Sequence, residues 1–403
     1  MSRAFYLFWT ARTVSLTGDG LVNVALVFAV MSLGGSAADI GGVLGVSMAA
    51  RVTLTLVGGV VADWLPRRWV LLVSDLVQAT VQFTVAVLLL SGVARLWMLL
   101  VASVAYGAAA AVYRPALAGM VAEVVGRDRA GELRRANAML GVSQSASRVV
   151  GPLLAGVLVA VTGPGWVYAI DGATFLLSAV CLVLLRLPLS RRSGSRRALW
   201  TGLRAGWREV ASRRWYLTGL LVHCGYNLAS SPFYVLGPVL VGGASVWGMV
   251  SAAGAVGAVA GSLLAARWTP VRPLSASHLL LVLGAAPLLA LAVGAPAVVV
   301  GTAAGLGMLG ATYVNTVWAT TVQSMVPHDV MSRVSSYDWL VSLLSLPIGY
   351  ALAGRLAQQA GSASVLAGAA VLLVAVAVPA AFVRSVRAVG QPSLGPERLP
   401  HGT

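Results

Sequence analysis

Apolar runs about twenty residues long recur along the whole chain, and they constrain its fold more than any other feature. An α-helix rises about 1.5 Å per residue, so roughly 20 such residues cross the ~30 Å hydrocarbon layer of a bilayer. Twelve runs qualify, near residues 9–32, 40–62, 69–92, 96–118, 138–161, 166–187, 216–240, 246–266, 277–294, 297–320, 337–358 and 363–384. Only 10% of residues are charged while 58% are hydrophobic, and so few charges cannot coat a water-facing surface. The reading is an all-α integral membrane protein of twelve transmembrane helices. The first run carries Arg12 and Asp19 with no clear cleavage site after it, so it is expected to stay as the first helix.

The charge pattern sets an expected orientation. The chain has no Lys, and its 28 basic residues against 12 acids give a net charge of +16. Nucleic-acid binding would need those Arg gathered on a folded polar domain. Instead they lie in short gaps between apolar runs. With the N-terminus placed in the cytoplasm, 22 Arg fall on the cytoplasmic side and two, Arg95 and Arg355, on the other. That asymmetry predicts both termini inside. The Lys-free, Ala/Val/Gly/Arg-rich composition suggests a high-GC genome, so a bacterial inner (plasma) membrane is the expected location. Cys181 and Cys224 each sit inside an apolar run and read as small buried hydrophobes.

The longest gap, from Arg186 to Trp215, divides the chain into two six-helix units that echo each other at an offset of roughly 200 residues. Gly59 falls opposite Gly261, Asp128 opposite Asp329, and Asn137 opposite Asp338. The expected organisation is an N-terminal bundle over 1–190, an Arg-rich cytoplasmic linker over 191–214, a C-terminal bundle over 215–390 and a short cytoplasmic tail over 391–403. A duplicated unit of this kind places a substrate site between its halves.

Between the second and third runs stands Gly59-Val-Val-Ala-Asp63-Trp-Leu-Pro-Arg67-Arg68. Gly59 permits close helix approach, Asp63 suits a positively polarised helix N-terminus, and the paired Arg can grip acids or helix C-termini. This segment resembles the signature loop of the major facilitator superfamily, with Pro66 where that family commonly has Gly. The fifth run carries Arg148-Val-Val-Gly151-Pro152-Leu-Leu-Ala-Gly156, which looks like the Gly/Pro-rich motif of the superfamily's exporters. Arg114-Pro115, Glu123 and the Arg134-Arg135-Ala-Asn137 loop are similar to the branch of macrolide-efflux proteins and enterobactin exporters. The resemblance implies the two-bundle major facilitator fold and a proton-driven exporter, with Gly59, Asp63, Arg67, Arg68 and Asp75 as a cytoplasmic latch and Gly151, Pro152 and Gly156 as the exporter-type motif.

Ionisable groups at a helix centre cost about 2.5–3.5 kcal/mol on insertion scales, so each needs a partner or a wet cavity. Asp19 and Arg51 lie mid-helix in antiparallel neighbours and are expected to pair, with Arg148 as the competing partner. At 100° per residue Arg12, Ser15, Asp19 and Asn23 share one arc of the first helix, His223, Tyr226, Asn227 and Ser230 one arc of the seventh, and Asp338, Ser342 and Ser345 one arc of the eleventh. These stripes point to a central water-accessible path. Asn23, Tyr106, Tyr113, His223, Tyr226, Asn227, Tyr313, Asn315 and Trp318 are its candidate cavity residues. Asp19 is either a proton carrier or half of a structural ion pair. Arg keeps its proton and cannot be a carrier itself.

Enzyme chemistry has no support in the sequence: there is no His/Cys/carboxylate cluster at metal spacing and no phosphate-binding loop with Lys. No cofactor or metal is expected beyond a proton gradient, and the expected partners are a small-molecule substrate and the bilayer, with the chain acting as a monomer. The favoured reading is proton-coupled export of an amphipathic drug, antibiotic or siderophore. The alternatives are a metabolite importer or uniporter on the same scaffold and, remotely, a non-transporting receptor or enzyme. The orientation has a direct test. A fluorescent protein fused after Thr403 should fluoresce and a phosphatase inserted beside Arg95 should be active, and the reverse pattern would invert the topology.

Overall fold

The computed structural model describes residues 2–64, 66–125, 130–185, 207–208, 210–268, 270–326 and 331–390, without the side chains of 55–64, 114–115, 118–119, 122–123, 130, 133–134, 331–333, 335–337 and 339. Six long helices form the first half: α1 (Arg3–Ser32), α2 (Ala37–Trp64), α3 (Arg67–Leu90), α4 (Leu96–Val125), α5 (Ala130–Thr162) and α6 (Pro164–Leu184). Six more form the second: α7 (Arg214–Leu240), α8 (Ala244–Arg267), α9 (Pro273–Leu281 and Ala285–Ala292, joined by a 3-10 turn over Val282–Gly284), α10 (Ala297–Met325), α11 (Met331–Ala360) and α12 (Ser362–Phe382). A single turn, α13 (Arg384–Arg387), follows. There is no strand among the described residues.

Eleven of the twelve long helices are apolar enough to cross a bilayer by length and composition. The exception is α7, whose 27 residues include His223, Tyr226, Asn227 and Ser230, the polar stripe read from the sequence, and also Ser231. Large apolar side chains face outward, Val298 being 80% exposed and Val161 77%, which is stable only with lipid as the solvent.

Several helices run past the apolar runs at the end where α1 begins and α12 finishes, here called the basal end. Expected at 138–161, α5 spans Ala130–Thr162, and α4 continues to Val125. Hydropathy marks only the hydrocarbon-matched part of a helix, whereas backbone hydrogen bonding continues into the polar interface. At the opposite, apical end every hairpin turns through a positive-φ glycine. Gly34, Gly92 and Gly163 serve the first half, and Gly242 with Gly243, Gly294 and Gly361 the second, so the roughly 200-residue repeat is visible in the turns.

Packing is unequal at the two ends. One apolar core runs through both halves apically, from Leu21–Val30 of α1 and Ile40–Val43 of α2 to Trp247 of α8, Ala353 of α11 and Leu366 of α12. Basally the halves keep separate cores, one around Phe5, Leu71, Met120 and Leu182, the other around Tyr216, Leu274, Trp318 and Val386. The two halves meet mainly along α2–α11 and α5–α8.

Both seams are closed by glycine against backbone. A Cβ at Gly41 would overlap the Tyr350 carbonyl oxygen, and one at Gly354 would overlap that of Ala37. On the other seam, a Cβ at Gly156 would stand 2.6 Å from Ala244 O and 3.0 Å from Gly248 Cα. Gln358 Nε2 also donates to Ser36 Oγ across the apical end at 3.2 Å. The molecule is therefore sealed apically while its halves part at the basal end.

Gly354→Leu should push α11 off α2 and weaken the apical seal by about 1–3 kcal/mol. Spin labels at the apical ends of the two helices would then report a longer distance. Gly368→Ala, in open space on α12, serves as the control with unchanged distances.

Candidate functional site

The candidate site lies beneath the apical seal. A cavity of about 190 Å³ is bounded chiefly by α1, α2, α3 and α4, with Tyr168 from α6 and Tyr350 from α11 of the other half. Its polar lining includes Asn23, Arg51, Gln82, Ser103 and Tyr106, set among Val and Leu side chains. Of the expected residues, Asn23, Tyr106 and Arg51 reach this cavity.

Asp19 stands behind its wall. The Tyr106 hydroxyl donates a short hydrogen bond to Asp19 Oδ1, and Asn23 Nδ2 donates to the Asp19 backbone oxygen at 3.1 Å. The ion pair of Asp19 differs from the expected one: its Oδ2 lies 4.0 Å from Arg12 Nη1. Arg12 is seven residues away on the same helix, two turns below, and its long side chain spans that gap along one face. The Arg12 guanidinium also lies over the Tyr113 ring, 5.2 Å from its centroid, so Tyr113 braces Arg12 and does not wall the cavity. Arg51 lines the cavity instead of forming the ion pair with Asp19, and Arg148 is exposed on α5.

α5 is held to α1 by a polar ladder, Thr13 Oγ1 to Ser143 Oγ at 2.9 Å and Thr17 Oγ1 beside Ser147 Oγ at 3.4 Å. Above the ladder Gly151 packs on Gly20, where an added Cβ would come 2.8 Å from the Gly20 Cα. Of the exporter-type motif, Gly151 thus seats α5 on α1, while Pro152 and Gly156 meet Gly248 of α8 across the seam.

Two buried acids flank this region. Asp75 was expected to support the latch; it faces α6, where Ser178 Oγ donates to its Oδ2 at 2.6 Å. Asp171 of α6 was absent from the sequence reading, as was its donor Gln82, although each interrupts an apolar run by the criterion that identified Asp19. In the latch segment, the packing at Gly59 and the side chain of Asp63 lie outside the described residues. Arg68 donates to Leu182 O at 2.9 Å and to Val183 O at 2.8 Å, capping the C-terminal end of α6. Arg67 begins α3 half-buried.

The second half is packed where a cavity wall was expected. Trp318 fills the space over Gly219, meets Trp215 and His223 edge-on and Tyr216 at a tilt, and donates to Asp338 Oδ2 at 2.9 Å. Tyr313 is buried against Trp268, donating to its backbone oxygen at 3.3 Å. Trp318 is a core residue because Gly219 opposite it leaves ring-sized space, and Tyr313 because it packs against the Trp268 ring. Asn227 Nδ2 donates to Ser342 O at 2.6 Å, Tyr226 lines a separate space of about 30 Å³, and Asn315 is exposed.

Two six-helix halves sealed at one end, parted at the other and holding a mid-membrane cavity define a secondary transporter of small molecules embedded as a multi-pass membrane protein. The sequence profile of the Major Facilitator Superfamily matches residues 8–345, and the chain belongs to that family. Membership makes it a transporter and not an enzyme.

An uncharacterised MFS-type transporter, YfiS of Bacillus subtilis (strain 168), is 27% identical over 220 residues, 53% of this chain and 51% of that protein. The match therefore spans about half the length of this relative. Among solved structures, a point mutant of the nucleoside transporter NupG superposes with a TM-score of 0.76 at 13% identity, covering 94% of this chain and all of that one. A bacterial homologue of the human lysosomal transporter Spinster, inward-facing and unoccupied, gives 0.73 at 14% identity, covering 96% and 98%. A POT family transporter in complex with 5-aminolevulinic acid gives 0.74 at 10%, covering 94% and 95%. At these identities the likeness concerns the fold.

Tyr106→Phe removes the donor to Asp19 while keeping the ring, and should lower stability by about 1–3 kcal/mol. Thermal unfolding of the purified protein checks this, and an unchanged midpoint would show that the bond contributes nothing.

Proposed function

We propose that the chain is a proton-coupled exporter that works by alternating access, with Asp19 as the group that gains and loses the proton. One observation carries this reading: Tyr106 is both a wall of the cavity and the donor to Asp19. A solute that takes the Tyr106 hydroxyl withdraws it from the carboxylate. Conversely, protonating Asp19 weakens its hold on Tyr106 and on Arg12. Proton and substrate thus compete through one hydroxyl, and either one biases the same equilibrium.

In this reading the Arg-rich basal end faces the cytoplasm of a bacterial inner membrane, as the distribution of Arg favours. The basal parting of the cores then corresponds to an inward-open state. Protons arriving from outside reload Asp19 after the substrate departs, so the proton gradient is the energy source. The latch segment, with Asp63, Arg67 and Arg68, would hold the basal ends together in the opposite state. Export is favoured by the likeness of the α5 motif to that of exporters.

The size of the cavity favours a second reading. About 190 Å³ is room for roughly six waters, below the ~300 Å³ at which pockets for drug-sized ligands begin. A small polar metabolite fits this state better than a bulky amphiphile, on the scaffold of an importer or uniporter.

A susceptibility screen in a host lacking its own pumps supplies the substrates for the test. Inverted vesicles with an acid interior should then accumulate a hit compound. Asp19→Asn should reduce that uptake to the level of vesicles without the protein. Undiminished gradient-driven uptake by Asp19→Asn removes Asp19 from the carrier role, and accumulation by intact cells in place of exclusion selects the importer reading.

A further inference from the structure

Asp171 is fully buried in α6, and the cycle just described does not use it. Its Oδ2 accepts a short hydrogen bond from Gln82 Nε2, and the Thr174 hydroxyl lies 3.4 Å from Oδ1. No cation among the described residues comes within ion-pair distance of it. A charge left in this position without a counter-ion is costly. On its α1 side the carboxyl occupies the place that a side chain at residue 18 would take, since a Cβ at Gly18 would overlap Asp171 Oδ1. Gly18 is the residue before Asp19, and the two carboxyls are within electrostatic reach of each other.

We propose that Asp171 is a second proton-binding carboxyl of the transport cycle, loaded and emptied from the cavity past Gln82. This rests on the transporter reading above and adds a residue to it. Gln82 lines the cavity and touches Asp171, as Tyr106 lines it and touches Asp19. Gln82 and Tyr106 thus each join the cavity wall to one acid, Asp171 fully buried and Asp19 with its side chain 35% exposed.

The partners of Asp171 also suit a group that changes its protonation state. An Arg serves only a carboxylate, whereas an amide carries both donors and an acceptor. Gln82 donates to the charged form, and the same amide turned over accepts from the acid. The Thr174 hydroxyl donates to the Asp171 backbone oxygen at 2.8 Å, and its lone pairs can accept from the protonated acid. In the step itself one O–H bond of a hydronium in the cavity breaks, leaving water, one O–H bond forms on the carboxylate, and no other covalent bond changes. The charged and titratable groups packed around the pair are Arg12 on α1, Arg51 on α2, Asp75 on α3, Tyr106 and Tyr113 on α4, and Tyr168 on α6. Asp171 lies in the electrostatic field of Asp19, so neutralising Asp19 alters the proton affinity of Asp171.

The test is infrared difference spectroscopy of the purified full-length protein during a pH titration, following the carbonyl stretch of protonated carboxylic acids. It needs no transport substrate. The wild type should show titrating bands from both acids. Asp171→Asn should lose one band and keep the Asp19 band, and Asp19→Asn should displace the titration midpoint of the Asp171 band. Should Asp171→Asn not fold, Asp171→Glu carries the same test, moving the frequency of one band. A spectrum unchanged by either substitution, or an Asp171 band that is present but does not titrate, overturns the proposal. Failure of Asp19→Asn in the vesicle assay leaves this readout untouched, so the two readings fail separately.

Discussion

The architecture depends on backbone pressed against backbone where the two halves meet. Gly41 and Gly354 on the α2–α11 seam, and Gly156 and Gly248 on the α5–α8 seam, leave no room for a side chain. In lipid no hydrophobic driving force pulls helices together, and close packing of small residues takes its place. The apical core that spans both halves exists because these seams let the helices approach. Basally each half buries its own aromatic and aliphatic residues, so parting there exposes no shared core.

The site follows from the same geometry. Tyr350 of the second half closes a cavity built almost wholly from the first, so its volume depends on how α2 and α11 sit against each other. At its wall, Tyr106 and Gln82 connect the cavity to two carboxyls, the partly exposed Asp19 and the buried Asp171. Ionisable residues are concentrated around α1, α3 and α6 of the first half. The matching region of the second half is filled by Trp318, Trp215 and Tyr216 around Asp338.

Much of this was legible in the sequence. Apolar runs of membrane-crossing length fixed the number of helices, and spacing placed Asp19 and Asn23 on one polar arc. The partner of Asp19 was on that arc as well, but pairing was sought between neighbouring helices when Arg12 could reach along its own. Tyr313 and Trp318 read as cavity walls because a sequence shows amphipathic rings but not what faces them, Trp268 in one case and Gly219 in the other. Asp171 was legible by the same rule as Asp19, and the rule was not carried into the sixth run. The basal extensions of α4 and α5 escaped because hydropathy measures lipid contact, which ends before the helix does.

One asymmetry in the fold bears on how the two halves carry force. In the first half α3 runs unbroken through 24 residues, whereas its counterpart α9 is nine residues, a 3-10 turn and eight more. Pro287 lacks the N–H that would close the ladder across that joint, and 3-10 geometry holds its hydrogen bonds less firmly than an α-helix. The half that contains Asp19 and Asp171 is thus the stiffer lever, and the other contains a compliant elbow. Strain that reaches the second half therefore has a softer place to settle, at Val282–Gly284, than the first half offers along α3.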